Sequence, residues 1–236
     1  MITLSVLKRK GVPAAVFVVT DLVGTDRLQV HDKLYLLLNR RFKPNSGTPT
    51  PFQATRALLE NLSQAEIENI IRTLESDVPF SEATTRPLQS LTWEMLTEIR
   101  RAGMTVGSHT RTHALMTNEC GQRVFEEATG SRLELKARLR ADVRHFAYPG
   151  GCFDSTAVDA VAAAGYRFAY TTCTHHHAEL PLLTVARTVL WEKSSCDPHG
   201  QFSASVLSCQ IHRAFALVSG CRQSHIDSQE HDDGHL

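Results

Sequence analysis

Apolar runs and amphipathic stretches alternate along most of the chain. Ala14 to Thr20 follows the break at Gly11-Val12-Pro13 and is apolar without alternation, which predicts a buried strand of a parallel sheet. Ahead of it, Thr3 to Lys10 predicts the last turns of a helix capped by Gly11. A helix feeding such a strand, with no strand before the helix, reads as the tail of a βαβ unit. Further on, Thr92 caps a predicted helix from Trp93 to Ala102, and Met104 to Ser108 is a predicted strand. Arg123 to Arg140 is a long amphipathic helix, His145 to Tyr148 a strand, Ser155 to Ala164 a helix stopped by Gly165, and Phe168 to Thr172 a strand. Alternation at these lengths predicts an α/β domain with a parallel sheet, in which active sites lie at the carboxyl ends of strands.

Between about residues 22 and 86 the alternation is interrupted by an insertion. Within it, Asp32 to Arg41 and Ser63 to Glu75 are helical by period and caps, while Lys43 to Pro51 is a loop by its Pro, Ser, Thr and Gly content. The insertion reads as a helical surface excursion, with cover for a cleft as the alternative. After Leu190 the pattern weakens; Ser203 to Leu217 predicts a terminal helix. The domain is thus expected over residues 1–222, with 223–236 a disordered tail whose His231, His235, Asp232 and Asp233 are adventitious metal binders at most.

Composition narrows the function. At 236 residues the chain can bury one sizeable core, and 25 Lys+Arg against 25 Asp+Glu gives zero formal net charge, which argues against a nucleic-acid partner. No apolar run is long enough to span a bilayer, and the charges at Lys8 to Lys10 follow rather than precede the first apolar stretch. A cytoplasmic location is therefore expected. The six cysteines are scattered without a CxxC pair, which predicts reduced thiols and argues against a Cys-rich zinc knuckle.

The candidate chemistry lies in Val106-Gly107-Ser108-His109-Thr110-Arg111-Thr112-His113, where a predicted strand gives way to a loop. Two imidazoles four residues apart can reach one metal ion, and neutral imidazole nitrogen suits Zn²⁺. Two histidines alone leave a catalytic site short of a ligand, and by spacing alone the pair has an ordinary structural alternative.

The order of four segments resembles the polysaccharide deacetylase family, the NodB-homology group of metal-dependent carbohydrate deacetylases. Lys8-Arg9-Lys10-Gly11-Val12-Pro13 through Val18 is similar to that family's helix end and strand, and Leu91-Thr92-Trp93 through His113 to its segment ending in H-[ST]-x-x-H. Phe146-Ala147-Tyr148-Pro149-Gly150-Gly151 is similar to its Pro-Gly motif, and Ala164-Gly165-Tyr166 to the following helix-strand junction.

The resemblance implies a distorted (β/α) barrel and hydrolysis of an acetyl group on a sugar or polysaccharide. It implies His109 and His113 as ligands of a divalent metal, most simply zinc, and the backbone N–H of Gly150, beside Pro149, as oxyanion donor. Arg187 resembles an arginine on a late strand of some members, with an ordinary strand charge as the alternative. His175, in the loop past a predicted strand end, ranks first as general acid, ahead of His176, His177, His199 and His212. The family's TFDDG-like aspartate pair has no counterpart before Val16, so the barrel is expected to be N-terminally incomplete, and the place of a family arginine is taken by Ala147. A catalytically inactive glycan-binding or relic domain therefore stands as the alternative to the enzyme, with weak metal binding expected if Met1 is the true start.

Overall fold

Parallel strands need crossovers, and the helices predicted between them supply these. The computed structural model describes residues 2–42, 47–75, 79–191, 193–212 and 214. Helix α1 (Ile2–Lys10) ends on Gly11 in a left-handed conformation and leads into β1 (Ala15–Val18). A 3₁₀ turn (Thr20–Leu22) then opens the insertion, which carries α2 (Val30–Arg41), α3 (Pro51–Asn61), α4 (Gln64–Leu74) and the short α5 (Glu82–Thr85). The alternation resumes with α6 (Trp93–Arg101), β2 (Thr105–Ser108), α7 (Gly121–Leu139), β3 (His145–Ala147), α8 (Ser155–Ala163), β4 (Phe168–Thr171) and β5 (Val185–Ala186). A final helix, α9, covers Ala204–Ile211.

The five strands pair in chain order, every pair parallel, so the expected α/β class and parallel sheet are observed. Among the described residues β1 and β5 are the edges of this sheet. The edge position corrects one expectation: β1 is not buried on both faces, and its burial rises only toward Val18, because only β2 pairs with it. Thr20, expected in the strand, instead turns into the 3₁₀ segment, where its N–H donates to Thr110 O.

The main core lies between the sheet and α6, α7 and α8. Leu96, Val124, Ala128, Leu135, Phe146, Tyr148, Val158 and Val161 are fully buried there or nearly so. Gly107 in β2 is required by packing: a Cβ would stand 2.6 Å from the Phe17 ring and 2.8 Å from His145 O.

The insertion has a second core of its own, built from Leu34, Leu37, Leu38, Ile67 and Ile71. Helix α3 was not expected from the sequence, yet Thr50 and Gln53 form a capping box around Pro51, and Ser63 and Glu66 form another at α4. The terminal helix covers Ala204–Ile211, and the part of the expected span from 215 to 217 lies outside the described residues. The stretch 223–236 lies outside the described residues.

Candidate active site

The segment from Ser108 to His113 leaves β2 and bends sharply. Thr110 and His113 have φ of 67° and 69°, a left-handed conformation that costs a non-glycine residue roughly 1–2 kcal/mol. Several bonds hold this loop in place. Ser108 Oγ donates to Ser131 Oγ on α7 at 2.7 Å, His109 N–H to Val18 O at 2.9 Å, and His113 N–H to Thr110 Oγ1 at 3.0 Å.

The strongest clamp is Glu127, a carboxylate with no exposed surface on α7. Its Oε2 accepts from the backbone N–H groups of Arg111 and Thr112 at 2.7 and 2.9 Å, and its Oε1 from Thr112 Oγ1 at 2.8 Å. Arg123 Nη2 completes the set at 2.8 Å. The other side of the loop is pinned by Arg111, whose Nε and Nη2 reach the two carboxylate oxygens of Asp21, each at 3.2 Å.

This scaffold brings the two imidazoles together, with ring centres 4.8 Å apart. His109 Nδ1 lies 2.6 Å from Ala147 O. A carbonyl only accepts, so Nδ1 carries the proton and the Nε2 lone pair is left for a ligand. Surrounding protein and the nearby Arg187 and His31 push the His109 pKa down to about 4, with the carbonyl bond opposing them. Burial, His109 and His31 hold His113 well below the usual imidazole range. Both rings are therefore neutral at pH 7, the state in which imidazole binds metal. The donor chemistry of this pair fits a divalent ion, although among the described residues no three His, Cys, Asp or Glu side chains form a complete ligand set.

Next to His109, the chain leaving β3 turns through Pro149–Gly151. Gly150 is exposed with φ +64°, and its carbonyl lies 3.4 Å from Thr172 Oγ1. Gly151 is forced: a Cβ there would stand 2.6 Å from Thr172 N. Behind the turn, Tyr148 is wholly buried and donates its hydroxyl to Leu183 O at 3.0 Å.

Arg187 follows β5, its N–H donating to Thr171 O at 2.7 Å. Its guanidinium is near enough to depress the His109 pKa, burial lowers its own, and its Nε is buried without a hydrogen-bond partner among the described residues. His175 sits beyond β4 with its Nδ1 3.0 Å from Cys173 Sγ.

Two groups at this site were not singled out from the sequence. Glu127 carried a signal, since it falls beside Val124, Ala128, Ser131 and Leu135 on the buried side of α7, where a carboxylate needs a purpose. His31 carried none: it lies in the first turn of α2 in the insertion, and only the fold sets its ring 5.1 Å from that of His113.

A family model described as polysaccharide deacetylase matches residues 2–169. No curated protein matches. Among solved structures the chain is similar to IcaB from Ammonifex degensii, at 16% identity and a TM-score of 0.48 over 81% of this chain and 62% of that one. It is similar to a de-N-acetylase from Aggregatibacter actinomycetemcomitans, at 13% identity and a TM-score of 0.47 over 89% and 69% respectively. It is also similar to the BpsB deacetylase domain from Bordetella bronchiseptica, at 15% identity and a TM-score of 0.46 over 78% and 64%. The chain thus spans less than two thirds of the first and third of these.

Proposed function

The chain belongs to the polysaccharide deacetylase family, and from that premise we propose that it removes an acetyl group from a sugar or polysaccharide by hydrolysis at the carboxyl ends of β2 and β3. The observation that carries this reading is the pair of neutral imidazoles, His109 and His113, on a loop braced from α7 and set beside the Pro149–Gly151 turn.

His109 and His113 would hold a divalent ion, zinc being the simplest match to neutral imidazole, and such an ion polarises an acetyl carbonyl and acidifies water. The protein's own groups do the rest. Ala147 O fixes the His109 tautomer, and Glu127 keeps the loop in its left-handed turns. The backbone N–H of Gly150, an exposed residue, would donate to the oxyanion that forms when water adds to the acetyl carbon. Arg187 adds a positive charge near His109, and its Nε, without a hydrogen-bond partner among the described residues, is suited to the same developing anion.

A second reading, glycan binding without turnover, is favoured by the engagement of the two carboxylates bonded to the loop. Asp21 is held by Arg111, and Glu127 accepts four hydrogen bonds, so neither is poised to take a proton from water.

Acetate release from N-acetylated and O-acetylated sugar oligomers, measured with added Zn²⁺, Co²⁺, Ni²⁺ or Mn²⁺, separates the two. Release that disappears in His109→Ala supports the enzyme. No release above that variant, together with calorimetric binding of the oligomers, rejects hydrolysis in favour of the binding module.

A further inference from the structure

We infer that His31, from the helical insertion, supplies a third nitrogen ligand to the ion held by His109 and His113, giving an all-imidazole site. The inference rests on the reading above that this pair binds a divalent cation.

The geometry is the first support. The ring centre of His113 lies 4.8 Å from that of His109 and 5.1 Å from that of His31. Two imidazoles bound through nitrogen to one tetrahedral ion at about 2.0–2.1 Å have ring centres about 5 Å apart. The rings meet at interplanar angles of 52° and 78°, so neither pair is a parallel stack.

The second support is how His31 is held. It stands in the first turn of α2, part exposed and so with room to turn, and its Nε2 lies 3.4 Å from Asp32 Oδ1. A carboxylate on one ring nitrogen leaves the other, Nδ1, to the ion, the usual arrangement of a histidine ligand with its outer partner. Among the described residues no three such side chains form a ligand set as they stand, so the His31 ring has to turn toward the pair to complete one.

The third support is where the insertion is fastened. Asn118 Nδ2 donates to Leu59 O and Leu62 O at 3.2 and 3.1 Å, and Gln64 N–H donates to Glu119 Oε1 at 2.6 Å. These bonds fix α3 and α4 to the segment that follows His113, and α2 packs against both helices. The insertion is therefore docked where a ligand from α2 is needed.

Three imidazole nitrogens favour Zn²⁺, Ni²⁺ or Cu²⁺ over Mn²⁺ or Mg²⁺. The test uses the metal-free full chain, with Zn²⁺ affinity read by competition against a chromophoric chelator and coordination by the visible absorption of bound Co²⁺. Wild type should bind one Zn²⁺, His109→Gln should abolish that binding, and His31→Gln should weaken it by at least about 100-fold, more than an outer partner is worth. Asp32→Asn, which leaves the His31 ring in place, should weaken it by about 10-fold. It carries the test should metal-free His31→Gln melt early.

Wild-type affinity and an unchanged Co²⁺ spectrum in His31→Gln would overturn the third ligand while leaving the pair intact. If wild type binds no Zn²⁺, or if its binding survives His109→Gln, both this inference and the reading beneath it fall.

Discussion

Replacing Glu127 is the sharpest test of how the His109 loop is held. The side chain is wholly buried and accepts two backbone N–H groups at one oxygen, with a threonine hydroxyl and an arginine at the other. Glu127→Ala strands the Arg111 and Thr112 amides, each at a cost of about 1–3 kcal/mol. Arg123 is part exposed and can turn to water, which offsets some of the loss. The total is about 3–5 kcal/mol, in line with breaking a buried ion pair from one side. For a chain of this length that lowers Tm by about 10 °C. Glu127→Gln can keep its oxygen toward the two amides and lose only the other side, so about 1–2 kcal/mol is expected. Urea unfolding of the two variants and the wild type measures both values. A loss below 1 kcal/mol in the alanine variant, or equal losses in the two, would refute the clamp.

Two further outcomes follow from the site. His109 has a folded pKa of about 4 against an ordinary 6.5, so the unfolded chain takes up the proton first. Stability is then full above about pH 6.5 and falls as the pH drops toward 4, by at most about 3 kcal/mol from this residue, with His113 acting in the same direction. Urea titrations in chelator at pH 7.5 and 5 check this, and equal stability at the two would contradict it. Gly151→Ala must place its Cβ against Thr172 at φ +74°, so a loss of more than 2 kcal/mol is expected, read as a lower midpoint in thermal unfolding.

The first four strands and the helices between them were legible because their signals are local. Thr92 caps α6 as expected, with Met95 N–H donating to its hydroxyl, and the apolar runs at Thr105–Ser108 and Phe168–Thr171 form strands. The positions of His109 and His113 at a strand end were legible for the same reason. Helix α3 was missed because Lys43 to Pro51 carries loop residues up to the helix's first position, although Thr50 and Gln53 spell its cap. What no local pattern encodes is the meeting of distant segments. Arg111 finds Asp21 across 90 positions, and His31 reaches His113 only once the insertion has folded back. Glu127 lies between: its place in the apolar side of α7 marks it as unusual, but its partners depend on the tertiary fold.

The insertion's separate core has a consequence for how this protein can change. Leu34, Leu37, Leu38, Ile67 and Ile71 pack with one another, and none of them belongs to the cluster beneath the sheet. Substitutions among them act first on the placement of α2 and only secondarily on the strands that carry His109 and the Pro149–Gly151 turn. The insertion is thus a module that evolution or design can lengthen, reshape or exchange while the scaffold under the histidine pair keeps its own stability.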